Sequence, residues 1–320
     1  MAISHRFRLD ALALLLGIVG VSLLPCFSFA QSPVPAYFGV QVSPPVPPAQ
    51  NSFPIQINAT LVNTPANITQ VTVTQDGNVI DVNVYVDHLN GQIFPQPIQV
   101  NETAPLLAAG TYTFRYVEFD RNVFSSNDYF PPVVHSALTV TVADPSIVAT
   151  AVEYYYAQRD HYFMTANPVE IAALDGGVFP GWVRTGQQFL VYQSDPASPG
   201  NSLLSPVCRF YGLPSVGLDS HFFSASPGEC AAVAARWPDA WLLETSTAFY
   251  VFLPEPQYAY PLDPGACPFG TQPLYRLFNN RADINHRYTT SLTIRQQMLD
   301  AGWLSEGYGS LGVAMCVNAS

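Results

Sequence analysis

Three histidines in the C-terminal half of the sequence have the residue type and surroundings to do chemistry. His161, His221 and His286 are each followed, two positions later, by an aromatic residue. An imidazole can ligate a metal, transfer a proton or hydrogen-bond the backbone. Three that converge on one axis would form a three-histidine zinc site, whereas the structural alternative is that each bonds backbone at a strand corner. No two of these histidines have ligand spacing, so the sequence predicts no metal and no cofactor.

Hydroxyl groups near two of these histidines raise nucleophilic catalysis as a second possibility. Ser224 and Thr289 lie three residues after His221 and His286. On a β-strand, residues three apart point to opposite faces, so neither hydroxyl could be activated by its own histidine. The sequence also has no Gly-x-Ser-x-Gly nucleophile elbow. We therefore predict no catalytic residue, and a secreted hydrolase is kept as an alternative.

The same succession of elements surrounds each histidine. An aromatic, strand-like run precedes it, and a short helical stretch and a tryptophan follow it. This pattern predicts a pseudo-threefold, β-rich repeat domain over residues 148–320, with one short helix in each repeat. The repeats span about residues 150–195, 205–254 and 270–318. The predicted equivalent structural residues are His161, His221 and His286, together with Trp182, Trp241 and Trp303.

Capping residues define the helix boundaries in this half. Asn167 and Ser226 each precede a proline and lie three residues before a glutamate, Glu170 or Glu229. A side-chain oxygen at the N-cap, a proline at the first position and an acid at the third favour a helix start. Ser291 begins the third helix without the proline. Helices of only about two to three turns depend on packing rather than on propensity for their stability.

The third repeat carries a family resemblance. Residues Leu274 to Gly307 read Tyr-Arg-Leu-Phe-Asn, Asn-His-x-Tyr-Thr-Thr, a helix, Gly-Trp and Glu-Gly. This order is similar to a bacterial repeat family of unknown function, whose units commonly read Tyr-Arg-Leu-Tyr-Asn, Asp-His-Phe-Tyr-Thr, Gly-Trp and Glu-Gly, often in groups of three. The resemblance covers residues 150–318 and departs from the pattern at Arg184-Thr185-Gly186 and at Glu244-Thr245. Because that family's repeats are often attached to exported bacterial hydrolases, the resemblance implies a cell-wall or carbohydrate-binding appendage.

Aromatic side chains favour a carbohydrate site in the same repeat. Tyr and Trp rings can stack on the apolar faces of sugars while their polar tips hydrogen-bond hydroxyl groups. Burial in the core would explain most of the aromatic residues, and we predict that a minority form a shallow groove. The predicted binding residues are His286, Tyr288, Trp303, Glu306 and Tyr308.

The first thirty residues predict a secretory signal peptide. Arg6 and Arg8 form a basic start, residues 11–24 are an apolar stretch, and small residues precede a cleavage site near Ala30. A lipoprotein anchor at Cys26 is the alternative interpretation of this segment. We expect a protein that is secreted, periplasmic or at the cell surface.

Period-two alternation of apolar residues predicts strands in a first domain, residues 31–147. Asp76-Gly77 suits a hairpin turn, and Tyr112, Phe114 and Tyr116 fall on one face of a late strand. The Gly-Thr-Tyr opening of that strand is similar to those of immunoglobulin-like and fibronectin-like sandwiches. The predicted fold class is therefore mainly β: an N-terminal immunoglobulin-like β-sandwich followed by the repeat domain. This resemblance carries no catalytic motif.

Composition narrows the classes of function. The net charge is −11 and the sequence contains no lysine and no basic run, so nucleic acid is not an expected partner. No run after the signal reaches the roughly 18 apolar residues of a membrane span. We expect an exported, non-catalytic binding or surface-interaction protein whose ligand is a cell-envelope or extracellular glycan. A structural envelope protein without a small ligand, or a secreted hydrolase, is the alternative.

Four of the five cysteines lie in the repeat domain, and an even number in an exported chain indicates disulfides. Cys208 and Cys230 belong to the first strand and the helix of one repeat. Cys267 precedes the first strand of the third repeat and Cys316 lies on its last strand. If those two strands are neighbours, Cys267 and Cys316 can come within bonding distance, and each pair then lies within its own repeat. We predict the disulfides Cys208–Cys230 and Cys267–Cys316.

Overall fold

The protein is built mainly of β-strands, as the sequence predicts. Its structure, a computed structural model, describes residues 39–61, 65–89, 95–124, 127–197, 202–256, 259 and 262–319. These residues contain three short α-helices. None of the helices in these ranges is long and apolar enough to cross a membrane. The predicted signal peptide and its cleavage site lie outside the described residues.

The N-terminal region forms two sheets around a common core. Its strands are β1 Gly39–Val42, β2 Pro54–Leu61, β3 Ala66–Asp76, β4 Val79–His88, β5 Gln96–Thr103, β6 Gly110–Asn122 and β7 Val133–Val142. The two sheets have the strand orders β1-β2-β5 and β3-β4-β6-β7. Ile57, Val84 and Phe114 are fully buried and belong to one hydrophobic cluster that both sheets share. Each sheet therefore buries one face, because apolar residues alternate along its strands.

Local sequence explains the hairpin between β3 and β4. Gly77 has a φ of 56° and so gives the positive φ that this tight turn requires. Tyr112, Phe114 and Tyr116 are buried on one face of β6, as predicted. Strands β4 and β6 run parallel, whereas β3–β4 and β6–β7 are antiparallel. The parallel pair departs from the antiparallel sheets of the immunoglobulin fold, so the immunoglobulin-like assignment stays a prediction.

The C-terminal region follows a short 3₁₀ turn at Pro145–Ile147 and contains the three helices. The helices are α1 Pro168–Asp175, α2 Pro227–Arg236 and α3 Leu292–Asp300. The side chains of Asn167, Ser226 and Ser291 accept backbone hydrogen bonds from the first turns of these helices, as predicted. The strands are β8 Val148–Tyr156, β9 His161–Thr165, β10 Trp182–Tyr192, β11 Leu204–Pro206, β12 Cys208–Gly212, β13 Ser220–Ser224, β14 Trp241–Thr245, β15 Tyr250–Phe252, β16 Thr271–Phe278, β17 His286–Thr289, β18 Leu304–Glu306 and β19 Val313–Asn318.

Residues 148–192, 204–252 and 271–318, here named the first, second and third segments, share one local arrangement. In each segment a central strand pairs with the strand before the helix and with the strand that follows it: β9-β8-β10, β13-β12-β14 and β17-β16-β18. The last strand of each segment pairs with that segment's own first strand: β10 with β8, β15 with β11 and β19 with β16. Strand β19 also pairs with β15 and β10, so the three segments meet in one central sheet.

Both predicted disulfides are formed. The Cα–Cα distances are 6.2 Å for Cys208–Cys230 and 5.6 Å for Cys267–Cys316. The first bond joins β12 to α2, and the second is possible because β16 and β19 are neighbours. The pairs close loops with sequence separations of 22 and 49 residues, worth about 3 and 4 kcal/mol on the chain-entropy model.

The N-terminal and C-terminal regions share a hydrophobic cluster. Val46 and Ala143 from the first region pack with Tyr192 and Phe252 from the second. The Tyr192 hydroxyl donates to the Val46 carbonyl and accepts from Asn318 Nδ2 at 2.8 Å. Burial raises the pKa of Tyr192 to about 12, so the hydroxyl keeps the proton that it donates. The last strand is thereby fixed to the N-terminal region.

Candidate functional site

An arginine, two glutamates and a histidine form the floor of a cleft between the second and third segments, named cleft 2. Arg276 Nη1 and Nη2 donate to the two carboxylate oxygens of Glu229, each at 2.8 Å. Its Nε lies 3.1 Å from Glu306 Oε2, and the same oxygen lies 3.2 Å from His286 Nε2. Arg276 and His286 are only 7% and 8% exposed. The guanidinium and the imidazole are therefore largely desolvated, whereas the Glu229 and Glu306 side chains stay 36% and 33% exposed.

Two segments position these groups. Glu229 is the third residue of α2, and Ser224 at the end of β13 donates to its carboxylate at 2.6 Å. Arg276 lies on β16, where Glu306 of β18 is its direct partner in the ladder. His286 begins β17 on the other side of β16. The floor therefore exists only where the helix of one segment meets the sheet of the next.

The same floor recurs between the first and second segments, in a cleft named cleft 1. Arg209 donates to both carboxylate oxygens of Glu170, at 2.8 and 2.9 Å. Its Nε lies 2.8 Å from Glu244 Oε2, which is 3.3 Å from His221 Nε2. Thr165 donates to the Glu170 carboxylate. Each of the four groups in the floor of cleft 2, and the hydroxyl that binds its helix glutamate, thus has a counterpart here.

Aromatic side chains form the walls and mouths of both clefts. Trp182 lines cleft 1 and Trp241 lines cleft 2, whose cavities measure about 340 and 560 Å³. At the mouths, Phe179 of cleft 1 is 52% exposed and Trp237 of cleft 2 is 50% exposed. Each cleft imidazole contacts one ring from the preceding segment and one from its own. These rings are Phe163 and Tyr211 around His221, and Phe222 and Phe278 around His286, with centroid distances of 4.6 to 5.4 Å.

Ion pairing keeps the cleft glutamates ionised. Burial raises the pKa of Glu229, but the hydrogen bonds and charge of Arg276 outweigh it, so the pKa is lowered. Burial also raises the pKa of Glu306, and His286 with Arg276 lowers it by more. The glutamates of cleft 1 have lowered pKa values because of the corresponding partners. Burial lowers the pKa of His286 despite the nearby Glu306, so its imidazole is neutral at pH 7.

The interface between the third and first segments is filled instead of open. Tyr162 takes the place of the cleft histidine and contacts Trp303 edge to face, with ring centroids 5.9 Å apart. The Arg287 guanidinium lies 4.1 Å from the centroid of the Tyr162 ring and donates to both oxygens of Glu153, at 2.9 and 3.0 Å. In the clefts the central strand supplies the arginine, whereas here it supplies the glutamate. We name this contact the third interface.

One of the three predicted equivalent histidines is displaced by one residue from the position of the other two. Tyr162, not His161, lies five residues before its helix N-cap, as His221 and His286 do. His161 is therefore not equivalent to the other two histidines, because the first turn has a different length: residues 157–160, against 213–219 and 279–285. The cross-strand partners agree, since Tyr155, Tyr211 and Phe278 lie opposite Tyr162, His221 and His286.

His161, Ser220 and Asn285, which directly precede Tyr162, His221 and His286, join the segments in a ring of hydrogen bonds. Each segment bonds the next, and the third bonds the first. The contacts run from the His161 ring to the Asp219 carbonyl, from the Ser220 hydroxyl to the Ile284 carbonyl, and from the Asn285 amide to the Tyr162 backbone. The three imidazoles thus lie in three separate settings. In the described part of the chain, no group of three or more His, Cys, Asp and Glu residues could hold a metal ion.

The structure divides the predicted binding residues among several places. It brings His286 and Glu306 together in cleft 2. Tyr288 is 4% exposed and donates its hydroxyl to a backbone carbonyl at 2.7 Å, so it belongs to the core. Trp303 lies in the third interface, and Tyr308 lines a second cavity of about 230 Å³ that shares Glu229 and Arg276 with cleft 2. The structure therefore gathers two of the five predicted residues in cleft 2, whose aromatic residues come largely from the preceding segment.

Sequence reasoning missed the two cleft arginines and gave Glu170 and Glu229 only a capping role. The signal was present. Arg209 and Arg276 occupy the same place in the central strands of the second and third segments. The helices of the first and second segments carry a glutamate at their third position, where α3 has Ile294. The first two interfaces therefore have both the strand arginine and the helix glutamate, whereas the third interface has neither.

Comparison with known proteins gives a family but no described relative. No curated protein matches the chain, and no solved structure matches it. A family model described as a domain of unknown function (DUF5648) matches residues 150–313, a range that contains the floors of both clefts. This match covers more than half of the sequence, and the chain therefore belongs to the DUF5648 family.

Proposed function

We propose that the protein is an exported, non-catalytic glycan-binding protein whose ligand sites are clefts 1 and 2. One observation carries the proposal: the same ion-paired floor, histidine, tryptophan wall and half-exposed aromatic mouth occur twice. A purely structural ion pair needs neither a cavity nor an exposed ring. Sugars are bound by rings that cover their apolar faces and by polar groups that meet their hydroxyls, and each cleft offers both.

The proposal includes the organisation expected from the sequence. In this organisation, residues 150–318 form three copies of one unit around a pseudo-threefold axis, and an immunoglobulin-like sandwich precedes them. Two observations support this organisation. Tyr162, His221 and His286 each lie five residues before a helix N-cap and have equivalent cross-strand partners. A ring of hydrogen bonds also joins the three segments. Export after cleavage near Ala30 is also part of the proposal. The two disulfides support it, because such bonds persist in oxidising compartments.

The ionisation of the clefts favours binding over hydrolysis. A glycosidase needs one carboxyl group with a raised pKa to protonate the leaving group. All four cleft glutamates have lowered pKa values, because arginine or histidine partners outweigh the effect of burial. The Ser224 hydroxyl donates to Glu229, and among the described residues no histidine hydrogen-bonds it to act as a base.

The mouth aromatics provide the test. Phe179→Ala and Trp237→Ala remove half-exposed rings, so each should change the free energy of unfolding by only about 0.5 kcal/mol. Retention on a glycan array and on purified peptidoglycan should weaken about tenfold for each cleft, equivalent to about 1.4 kcal/mol. The double variant should lose retention. Phe124→Ala is the matched control, because that ring is 66% exposed but lies in the N-terminal region.

Two other outcomes would replace this function. Folded wild-type protein that is retained on neither surface would favour a structural envelope role without a small ligand. Turnover of a chromogenic glycoside or ester that is lost on substitution of His221 or His286 would favour a hydrolase.

A further inference from the structure

The arginines in the cleft floors are already paired with carboxylates. Each terminal nitrogen of Arg276 donates to Glu229, and those of Arg209 donate to Glu170. The Nε atoms of both arginines are buried beside a second carboxylate, without the alignment of a hydrogen bond, and a ligand cannot reach them. The Nε2 atoms of the two cleft histidines face those same carboxylates. Each terminal nitrogen keeps one further N–H, but each guanidinium already faces two carboxylates, so neither floor offers a ligand an unpaired positive charge.

Acceptor oxygens remain. Oε2 of Glu306 faces both Arg276 and His286, whereas its Oε1 has no hydrogen-bond partner among the described residues. In cleft 1, Oε1 of Glu244 likewise has no hydrogen-bond partner among the described residues. Both carboxylates are only partly buried, with side-chain exposures of 33% and 27%, so these oxygens are within reach of a ligand. The open carboxylate oxygens therefore favour a ligand that donates hydrogen bonds.

The charge of the floors points the same way. Each floor has two carboxylates and one guanidinium, and so carries one excess negative charge. The chain as a whole carries a net charge of −11. An anionic ligand group would lie near two carboxylates without a free arginine to pair with, at a cost in desolvation and repulsion.

We propose that clefts 1 and 2 select uncharged sugar units, which donate hydroxyl or amide hydrogens to Glu244 and Glu306, and that they exclude acidic sugars. This inference rests on the proposed function and adds the class of glycan to it. The mouths differ in charge: cleft 2 has the exposed Arg236, and cleft 1 has Asp219, which is paired with Arg159 at 3.3 Å. Selection by the floors predicts the same preference in both clefts in spite of this difference.

The test compares neutral and acidic oligosaccharides of equal length on the mature, disulfide-bonded protein. Neutral probes are hexose and N-acetylhexosamine oligomers, and acidic probes carry uronate or phosphate groups. We expect neutral probes to bind at least about tenfold more tightly, equivalent to about 1.4 kcal/mol. Their binding should change little between about 0.05 and 0.5 M salt, because no net charge on the ligand is involved.

Glu244→Gln and Glu306→Gln separate the two clefts. Gln replaces the charge by an amide and turns part of the acceptor into a donor, so each variant should bind neutral probes about tenfold more weakly. Glu102→Gln makes the same change of charge in the N-terminal region and should leave binding unaltered. Circular dichroism and the urea midpoint establish that each variant is folded, and the two clefts serve as independent trials if one variant is unstable.

The outcomes separate the selection of neutral sugars from glycan binding itself. Equal or tighter binding of acidic probes would overturn the selection of neutral sugars while leaving a glycan-binding protein. Acidic binding that is lost in Arg236→Gln would assign selection to the mouth of cleft 2 instead of the floors. Binding of no glycan by the folded wild type would remove the proposed function itself.

Discussion

The clefts and the third interface have the same strand and helix arrangement, but only the clefts are open. In each cleft an arginine of the central strand reaches a glutamate of the preceding helix. At the third interface Ile294 stands in place of that glutamate and packs with Met298, Trp303 and Tyr162 in one apolar cluster. The comparison teaches that a few positions, and not the fold, decide whether an interface keeps a cavity.

The departures of the first repeat from the family pattern become understandable in this light. Thr185 takes the place that Glu244 and Glu306 have in the clefts, and its hydroxyl donates to the Glu153 carbonyl at 3.5 Å. The first segment supplies the strand side of the third interface, where no cleft floor is formed. A residue that builds the floor elsewhere is therefore absent there.

The largest effect is expected from breaking the reversed ion pair of the third interface. Arg287→Met leaves Glu153 unpaired, and the two side chains are only 11% and 3% exposed. We expect a loss of about 3–5 kcal/mol in the free energy of unfolding, measured by urea denaturation. Arg184→Met is the control, because its pair with Asp175 is 46% and 40% exposed and should contribute less than about 1 kcal/mol.

A double variant sharpens this first test. Glu153→Met combined with Arg287→Met removes both buried charges, so most of the lost stability should return. If Arg287→Met costs no more than the exposed control, the buried pair is not what holds the third interface closed.

A smaller effect on stability, with none on binding, is expected from Trp303→Ala. The indole is 7% exposed and fills the third interface, so its removal leaves a cavity and costs about 3 kcal/mol. Glycan retention by the folded fraction should stay at the wild-type level, the reverse of the expectation for Trp237→Ala. Loss of retention in folded Trp303→Ala would place this residue in a ligand site and erase the distinction between filled and open interfaces.

The smallest effect concerns pH. Burial lowers the pKa of His286 from its ordinary value of 6.5, so on acidification the unfolded state takes up the proton first. The contribution to stability is therefore fully present above pH 6.5 and is lost as the pH falls toward the folded-state pKa. One such group accounts for at most about 1.4 kcal/mol per pH unit. The lowered pKa values of Glu229 and Glu306 add a further loss below their ordinary 4.5.

Variants at corresponding positions measure this pH effect. Urea midpoints between about pH 7.5 and 5.5 should fall less steeply in His286→Asn than in the wild type. Tyr162→Phe, at the matching place in the third interface, should keep the wild-type slope, because the pKa of Tyr162 is raised by burial and its ring does not titrate in this range. Equal slopes in His286→Asn and the wild type would contradict the lowered pKa.

Features coded by neighbouring residues were predictable. The caps at Asn167, Ser226 and Ser291 and the hairpin at Gly77 depend on a few adjacent side chains and backbone angles. The Cys267–Cys316 disulfide followed from the adjacency of β16 and β19, and Cys208–Cys230 followed from a strand and a helix of the same segment. In each case, the chemistry that fixes the structure lies within one segment of the sequence.

The candidate site was predictable only in part, because it forms between segments. His286 and Glu306 come from one repeat and were recognised, but their arginine is bound by a glutamate 47 residues earlier. An alignment of repeats compares residues within units and does not reveal which units touch. The same limit explains the misplaced His161, since matching residue types could not register that the turn before it has a different length.

The middle position of β19 determines how far the chain can fold while it is being synthesised. This strand pairs with β10, β15 and β16, and its Asn318 binds Tyr192, 126 residues earlier. The first and second segments therefore lack their shared central strand until residues 313–318 have emerged. Contacts of such long sequence separation form late, because closing a long loop costs entropy before the contact can stabilise it. The C-terminal region should consequently fold as one cooperative unit once its third segment is present, and not segment by segment as the chain emerges.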